Sequence, residues 1–221
     1  MRTLRYVELQ DAKILLIGAG GPGAAAAAHL AASGAGYIAV ADGAIIDGFN
    51  RAEILGARLA VMQPDLQVDP YPVAVEEANA VAIATGHDAV LDATGDAGAG
   101  RLLAKAGAEL GIPVVHVARG AVLVTWPGET ACFGCRPETG DGRPESADGR
   151  RQTAELAAAE RSLLAGLLGA VAAADVAAAL GPSPVTEAVL RTVSLPPAID
   201  TETVERVAEC PVCAVVTEGA R

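Results

Sequence analysis

Large aromatic side chains are scarce in this chain, which has one Trp, three Tyr and two Phe among its 221 residues. Hydrophobic residues nevertheless make up 52% of the sequence, so the core must be built mainly from Ala, Val, Leu and Ile. A chain of this length can bury a substantial core of its own. We therefore expect a single α/β domain over residues 1–221, with two small domains as the alternative.

Positive charge is also scarce, because Lys13 and Lys105 are the only lysines and the formal net charge is −11. Proteins that bind nucleic acids or anionic membranes present the opposite charge balance, with clustered lysine and arginine. We therefore expect neither a nucleic acid nor a membrane surface as a partner.

The sequence also lacks a recognisable secretory signal or transmembrane segment. Residues 1–5 lead into no apolar stretch of the kind that a secretory signal contains. The most apolar segment, 162–180, consists largely of Ala and Gly and is interrupted by Asp175, which disfavours a membrane span. These features predict a cytoplasmic protein.

Cysteine is absent outside two CxxC pairs, Cys132 with Cys135 and Cys210 with Cys213. Each CxxC turn places two sulfurs on one side of a tight bend, and two such turns can surround Zn²⁺ with four thiolates. Disulfides are disfavoured in a reducing cytoplasm. We expect a structural zinc site that ties the end of the chain to its middle. A redox CxxC motif, which would need only one pair, and plain buried thiols are the alternatives.

A glycine-rich run, Gly18-x-Gly20-Gly21-x-Gly23, occurs where a predicted strand meets a predicted helix. In this context Gly18 allows a tight turn, Gly20 allows close approach of a phosphate, and Gly23 allows close packing of helix on strand. The first helical N–H groups then face the phosphates. Asp42 ends the next predicted strand, where a carboxylate can accept hydrogen bonds from ribose hydroxyls. The pattern predicts a nucleotide site, with a glycine turn kept only for packing as the alternative.

Strand and helix patterns alternate along most of the chain, which is typical of a parallel sheet covered by helices. Pro70 and Pro72 interrupt one strand pattern and place it near a sheet edge. The segment 136–151 is rich in Pro, Gly and charged residues and predicts a flexible crossover loop. The long helix is a candidate for a break near Gly166 or Gly169. The strands are predicted at 12–17, 37–41, 67–75, 88–94, 114–117, 121–126 and 185–195, and the helices at 24–33, 53–62, 76–85, 98–110, 154–180 and 201–208.

Long runs of this sequence resemble the ThiF/MoeB/HesA proteins, which are relatives of the ubiquitin-activating E1 enzymes. The likeness begins with KILLIGAGGPGAAAAAHLAASGAGYIAVADGAIID and continues with VLDATGD, with IPVVHVARGAVLVTWPGETACFGCRP and with AECPVC. It extends over nearly the whole chain. It implies a Rossmann-like, doubly wound and mostly parallel sheet with a C-terminal antiparallel extension and a four-cysteine zinc site.

The resemblance implies an enzyme that adenylates the C-terminal carboxylate of a small ubiquitin-like or sulfur-carrier protein, or of a peptide. The glycine pattern alone suggests NAD(P), but together with the cysteine pairs it resembles a family that uses ATP. That family holds Mg²⁺ with an aspartate after the fourth strand, which makes Asp96 the candidate. The spacing in VLDATGD is one residue longer than usual, so Asp92 is the alternative, with capping of the next helix as its other expected role. The resemblance also implies a homodimer.

Some polar positions depart from the family pattern. An Asn and an Arg that contact ATP in the family are matched by Asn50 and Arg51, in a shorter segment. No lysine follows Arg51 before the fourth predicted strand. Arg58 can replace the family's phosphate-binding lysine in charge, or it can be a solvated helix-face residue. The amino-terminal arm is short, and only Arg2 and Arg5 could supply the arginine that homodimeric members give to the neighbouring subunit.

Three candidate functions remain open at this point. The first is an ATP-dependent adenylyltransferase with Arg51 and Asp96 as catalytic candidates, which forms an acyl-adenylate without a thioester step. No cysteine lies between Cys135 and Cys210 to act as the thioester nucleophile. The second is a catalytically degenerate E1-like module that binds a peptide or leader for a partner enzyme, and an NAD(P)-linked oxidoreductase is a distant third.

His116 is expected to have a packing or solvated role.

Overall fold

An eight-stranded sheet forms the centre of the chain, with helices on both of its faces. The computed structural model describes residues 7–118, 120–126, 128–135, 138–139, 143–144, 158–182 and 185–213. The candidate arginines Arg2 and Arg5 lie outside the described residues. Most of the predicted loop 136–151 lies outside them too, and its described pairs form a short antiparallel ribbon.

Strands and helices alternate along the first part of the chain. The strands are β1 (Lys13–Ile17), β2 (Tyr37–Ala41), β3 (Ile45–Ile46), β4 (Phe49–Asn50), β5 (Gln67–Tyr71), β6 (Ala89–Asp92), β7 (Val114–Ala118), β8 (Ala121–Thr125), β9 (Glu138–Thr139), β10 (Arg143–Pro144), β11 (Ala188–Ser194) and β12 (Ala198–Val204). The helices are α1 (Gly21–Ala32), α2 (Arg51–Met62), α3 (Ala80–Ala84), α4 (Ala97–Leu110) and α5 (Ala158–Leu180). A 3₁₀ turn covers Phe133–Cys135.

The sheet has the strand order β12-β11-β8-β7-β6-β1-β2-β5. Strands β5, β2, β1, β6 and β7 run parallel to one another, whereas β8, β11 and β12 add on as antiparallel strands. The edge position of β5 agrees with the prediction from Pro70 and Pro72. The order of strands reverses between β1 and β6, and doubly wound folds bind ligands in the crevice outside the carboxyl ends of strands at such a point. The predicted fold class is confirmed.

Two apolar layers cover the sheet. One face packs against α1, α2 and α5 and includes Ile14 and Leu16 of β1. The opposite face includes Leu15 and Ile17 of the same strand and packs against α3 and α4, where Leu103 is buried. The central strands are therefore apolar on both faces, as is usual for parallel sheets.

Two details of the predicted elements are wrong. The segment 201–208, predicted as a helix, begins within β12, which pairs antiparallel with β11. Its β-branched residues, among them Thr201 and Val204, favour a strand over a helix. Helix α5 is continuous through Gly166 and Gly169, so the break expected near them does not occur.

Helix α5 lies very close to α1 at Gly169. A Cβ atom on Gly169 would lie 2.6 Å from the Ala25 side chain and 2.7 Å from backbone atoms of Pro22 and Ala26. Only a residue without a side chain allows this approach. Since Pro22 and Ala25 belong to the beginning of α1, the contact supports the helix end that follows the glycine run.

Helix α5 is also long and apolar enough to cross a membrane, judged by length and composition alone. Half of its most apolar 18-residue stretch is buried inside the protein. Its residues Leu168, Ala172 and Val176 belong to the same apolar layer as the buried residues of α1. Its place in the core therefore accounts for its composition.

A charged pair with one buried and one partly exposed member links this helix to the sheet. Asp175 on α5 is buried, and the Arg191 guanidinium on β11 lies 2.7 Å from its carboxylate. Burial raises the pKa of Asp175 to about 6, and Arg191 offsets only part of that rise. The protein therefore binds a proton at Asp175 more readily when folded than when unfolded.

The close contact at Gly169 can be tested by substitution. Gly169→Val should lower the free energy of unfolding by about 2–3 kcal/mol, because the new side chain would overlap α1. Gly166→Ala on the same helix is the matched control, since a Cβ there would meet nothing within 4 Å, and it should be neutral or stabilise by up to about 1 kcal/mol. Urea unfolding measures both changes. Equal destabilisation by the two variants would contradict the contact.

The buried carboxyl group predicts a pH dependence of stability. As pH falls through about 6, Asp175 takes up a proton in the folded protein. In the unfolded chain it does so only near pH 3.8, the ordinary pKa of an aspartate. The contribution of Asp175 to the free energy of unfolding should therefore rise between these values, by roughly 2 kcal/mol, and then level off. Asp175→Asn should remove this part of the profile. Urea unfolding gives the free energy of unfolding of both proteins from pH 7 to 4. The same change with pH in the wild-type protein and in Asp175→Asn would contradict the assignment.

Candidate nucleotide site and metal centre

The glycine run forms the turn between β1 and α1 at the carboxyl edge of the sheet. Gly18 has a φ of +92°, and a Cβ atom there would lie 2.8 Å from the Ala93 carbonyl group. A Cβ atom on Gly23 would overlap the carbonyl oxygen of Gly18. Both positions therefore require glycine for backbone reasons.

Gly20 and Gly21 form the start of helix α1. Gly20 is the N-cap, and no side-chain hydrogen bond caps the first turn. Pro22 follows within that turn and has no N–H group. The N–H groups at a helix start carry partial positive charge and suit a phosphate. The structure thus offers a backbone anion site where the sequence predicts phosphates.

Asp42, just beyond β2, ties this turn to the chain that follows. Its carboxylate accepts hydrogen bonds from the N–H groups of Ala19 and Ala44, each at 2.8 Å. It also accepts from Arg51, from Nε at 2.8 Å and from Nη2 at 3.2 Å. Burial alone would raise the pKa of Asp42, but these donors hold it below its ordinary value. A ribose hydroxyl would have to compete with these donors, of which Arg51 is the partly exposed one.

Asn50 and Arg51 stand at the beginning of α2. Asn50 Oδ1 accepts from the N–H of Ala52 at 2.8 Å, and its Nδ2 donates to the backbone carbonyl of Asp42 at 2.8 Å. Both ends of the Asn50 amide are thus used within the protein. The Arg51 guanidinium lies beside Gly20, where a Cβ atom would be 3.2 Å from Nη1. Of the two residues, Arg51 is the one placed to meet a phosphate.

Arg58 lies further along α2 and is exposed. Residues seven positions apart lie on one side of a helix and about 10 Å apart along its axis. Arg58 is therefore on the same side as Arg51 but is removed from the glycine turn. The structure brings the other predicted nucleotide residues together and leaves Arg58 at their periphery.

Of the two candidate aspartates for Mg²⁺, Asp92 is the last residue of β6 and Asp96 directly precedes α4. Asp92 is buried and accepts hydrogen bonds from the N–H and the hydroxyl of Thr94, at 3.0 and 2.7 Å. Asp96 is exposed and is the N-cap of α4, where Oδ1 accepts from the N–H of Ala99 at 2.8 Å. The capping role considered for Asp92 is therefore wrong, because Asp96 performs it. The cap uses one carboxylate oxygen of Asp96 and leaves the other for a cation.

His116, in β7, lies beside Asp92 in the register of the sheet. Its Nδ1 is 3.0 Å from Asp92 Oδ2, and both side chains are buried. The imidazole also packs against the ring of Phe133, with 4.8 Å between ring centroids. His116 is buried and packed, so the solvated role considered for it is wrong. Its bond to Asp92 was not predicted, because it depends on which strands are neighbours.

Sequence reasoning also missed a small hairpin beside the site. β3 and β4 pair antiparallel around Asp47 and Gly48, whose φ values are +50° and +86°. An Asp-Gly pair with both residues at positive φ is the usual signal for a two-residue hairpin turn. The hairpin exposes Ile45 and Phe49 and leads directly into Asn50.

The four cysteine sulfurs meet in a buried cluster against α4, β8 and β11. The Sγ atoms of Cys132 and Cys210 are 3.6 Å apart, as are those of Cys135 and Cys213, and those of Cys132 and Cys135 are 3.9 Å apart. All four lie within 4.8 Å of one another. Thiolates about 2.3 Å from a central Zn²⁺ would be separated by about 3.8 Å. The arrangement fits a tetrahedral metal site.

The electrostatics of this cluster also favour a metal ion. Burial raises the pKa of Cys132, with added repulsion from the other sulfurs, and burial raises the pKa of Cys213 to about 11. For Cys210 burial has the same effect, but N–H groups of Cys213 and Val212 outweigh it and lower the pKa. Several thiolates together would repel one another, and a divalent cation offsets that repulsion.

The profile of the ThiF family matches residues 46–196, which is more than half of the chain. The chain belongs to the ThiF family. The matched part includes Asn50 and Arg51, the Asp92–Asp96 loop and the first cysteine pair. The resemblance stated from the sequence is therefore confirmed.

Curated relatives of this ThiF protein match it over part of their length. The adenylyltransferase and sulfurtransferase UBA4 of Vanderwaltozyma polyspora is 28% identical over 149 residues, which cover 58% of this chain and 34% of UBA4. The SAMP-activating enzyme E1 of Haloferax volcanii is 30% identical over 123 residues, which cover 49% of this chain and 46% of that enzyme. The chain thus spans about a third to a half of the length of these relatives.

Solved structures show the same fold. E. coli MccB with ATP has a TM-score of 0.70 at 19% identity and covers 93% of this chain and 68% of MccB. E. coli MccB with succinimide has a TM-score of 0.72 at 20% identity, covering 93% and 67%. At these identities the likeness establishes the fold of this ThiF protein.

The metal centre leads to a direct prediction. The purified protein should contain about one Zn²⁺ per chain, and Cys210→Ser should lose it and unfold at a lower temperature, because three thiolates hold zinc less tightly than four. Val212→Ala, which alters the same turn without removing a ligand, is the matched control and should keep the metal. Elemental analysis and thermal unfolding measure both effects. Full metal content in Cys210→Ser would contradict the assigned ligand set.

Proposed function

We propose that this chain is an ATP-dependent adenylyltransferase that activates the terminal carboxylate of a small carrier protein or peptide. The supporting observation is the meeting of the glycine turn, the Asp42–Arg51 pair and the Asp92–Asp96 loop at the switch point of a ThiF-family sheet. The names of the curated relatives, an adenylyltransferase and a SAMP-activating enzyme, support the reaction class. The MccB structures with ATP and with MccA support ATP as the ligand and a second binding partner beside it.

In this reaction a carboxylate oxygen of the acceptor attacks the α-phosphorus of ATP. The bond from that phosphorus to the oxygen bridging the α- and β-phosphates breaks, and pyrophosphate leaves with the bonding electrons. The products are an acyl-adenylate and pyrophosphate. The nucleophile is already an anion, so no general base is needed. The protein has to align the reactants and offset the negative charge of the phosphates.

The residues around the glycine turn can supply that charge. The N–H groups at the start of α1 and the guanidinium of Arg51 are donors for phosphate oxygens. Arg51 would leave Asp42 when it turns to a phosphate, and the carboxylate of Asp42 would then accept from ribose hydroxyls. In this exchange neither charged group is left without a partner. Arg58 is a second, more distant candidate for the phosphates.

Mg²⁺ fits Asp96 better than Asp92. The helix cap occupies one carboxylate oxygen of Asp96, and Mg²⁺ commonly binds one or two carboxylates together with substrate phosphates. Asp92 is buried and its oxygens accept from Thr94 and His116. When bound, the ion would neutralise part of the phosphate charge.

The four-cysteine centre is assigned a structural zinc ion. Four protein thiolates complete a tetrahedral site and leave no open position for a substrate. Every cysteine of the chain belongs to this centre. The acyl group would therefore leave this chain from the adenylate, without a thioester. A homodimer and a cytoplasmic location, both expected from the sequence, stay predictions.

A peptide-binding module without catalytic activity is the second candidate function. One observation favours it: the guanidinium of Arg51 is paired with Asp42, and no lysine follows Arg51 on α2. The site therefore has little free positive charge for a triphosphate. Nucleotide binding separates the two candidates.

The adenylyltransferase should bind MgATP and, with its carrier protein or peptide, exchange labelled pyrophosphate into ATP. Arg51→Ala should weaken MgATP binding about tenfold or more, because it removes a charge-assisted hydrogen bond. Arg58→Ala, a matched arginine deletion on the same helix, should change the affinity less than about threefold. Calorimetry gives the affinities, and exchange is followed with a panel of carrier proteins and peptides.

The outcomes of this experiment distinguish the candidates. No detectable MgATP binding would overturn the adenylyltransferase and favour the module. Tight MgATP binding without pyrophosphate exchange for any acceptor would identify a nucleotide-binding protein and would contradict the proposed adenylation. Equal affinities of the wild-type protein and Arg51→Ala would contradict the assigned phosphate contact.

A further inference from the structure

Asp92 and His116 form an enclosed polar pair that the proposed reaction does not use directly. The side chains of His116 and Asp92 are 1% and 4% exposed. Asp92 Oδ1 accepts the N–H and the hydroxyl of Thr94, and Oδ2 lies 3.0 Å from His116 Nδ1. Because a carboxylate accepts, we assign the proton to Nδ1. Both oxygens of Asp92 then have donors, which fixes the conformation of the side chain.

The hydrogen bonds continue from Asp92 to the exposed carboxylate assigned to Mg²⁺. The hydroxyl of Thr94 accepts from the N–H of Asp96 at 3.1 Å. Asp96 Oδ1 then accepts from the N–H of Ala99 at 2.8 Å, in the first turn of α4. A displacement of Asp92 would therefore move Thr94 and with it the backbone of Asp96.

The opposite side of the imidazole is limited by the cysteine turn. Phe133 lies between the ligands Cys132 and Cys135, and its ring packs against His116 at 4.8 Å between centroids. The same ring lies against α4 at Gly100, where a Cβ atom would be 3.0 Å from it. Phe133 is thus wedged between α4 and β7 and leaves the imidazole little room to turn away from Asp92.

Packing alone does not explain a histidine at this position. Nε2 of His116 is buried and has no hydrogen-bond partner among the residues that the structure describes. An apolar side chain of similar size would fill the space without the cost of an unsatisfied polar atom. The polar contact that the imidazole does make is with Asp92. The position therefore suits a residue whose task is to hold that carboxylate.

We propose that His116, held in place by Phe133, is a positioning residue for the Asp92–Asp96 loop. Formation of the first CxxC turn, which carries Phe133, is thereby coupled to the geometry of the Mg²⁺ site. The consequence for Mg²⁺ rests on the proposed nucleotide function, whereas the positioning of the loop does not. The coupling runs through side chains in direct contact, from the turn at Phe133 through His116 to Asp92.

Hydrogen–deuterium exchange of the full chain tests the positioning without any nucleotide. In His116→Leu the amides of Thr94, Asp96 and Ala99 should exchange about tenfold faster or more, because a hydrogen bond to a buried charged group is lost. His116→Asn keeps an N–H donor near the Nδ1 position and should restore most of the protection. Val117→Ala truncates a buried residue in the apolar layer on the other face of the sheet and controls for a general loss of stability.

Calorimetric titration tests the consequence for the Mg²⁺ site. His116→Leu and Phe133→Ala should each weaken MgATP binding by about tenfold, the usual effect of removing a group that orients a metal ligand. Binding of ATP without added Mg²⁺ should be unchanged in both variants. If the two residues had only a structural role, both variants would melt at a lower temperature. Their affinities for MgATP and for ATP without Mg²⁺ would then change by the same factor.

Each outcome decides a separate claim. Unchanged loop exchange in His116→Leu would overturn the positioning role, whatever happens with nucleotide. The same increase in Val117→Ala would assign His116 to core packing and also overturn it. A wild-type chain that fails to bind MgATP would overturn the proposed function, while loop exchange would still decide the role of His116. Altered loop exchange with unaltered MgATP affinity would overturn the coupling to the Mg²⁺ site.

Discussion

The hydrogen bonds of Asp42 hold the candidate nucleotide site together. Its carboxylate accepts from Ala19 in the glycine turn, from Ala44 after β2 and from Arg51 at the start of α2. Its backbone carbonyl accepts from the side chain of Asn50, which in turn caps α2. The beginnings of α1 and α2 are therefore fixed relative to one strand end. Removal of the Asp42 side chain would leave the donors of Ala19, Ala44 and Arg51 without this acceptor, so one residue links the parts that border the crevice.

The parts of the fold that could be predicted from sequence are those with a local signal. The β1–α1 turn was predictable because Gly18 and Gly23 are required by the backbone itself, and edge strand β5 because prolines lack a donor. Strand β12 was not predictable in the same way. Its residues are exposed nearly throughout, so they carry no apolar periodicity, and its pairing with β11 decides its conformation.

The candidate site shows the same division. The four cysteines and the glycine turn were recognised from spacing, and the structure brings each set together. The roles of polar residues were harder, since they depend on the order of strands. Asp92 and His116 meet because β6 and β7 are neighbours in register, and Asp96 rather than Asp92 caps the helix because α4 begins at Ala97. A single sequence contains neither fact.

The cysteine centre joins residues separated by 78 positions, Cys132 and Cys210. Helix α5 and strands β11 and β12 all lie within that interval. Closing so long a loop costs conformational entropy, which the chain loses before the second cysteine pair reaches the first. The ligand set is therefore complete only when the chain beyond β12 has returned to the first cysteine pair. A bound metal ion would therefore report that the C-terminal hairpin is in place, because a chain with a misplaced hairpin has only half of the ligands together.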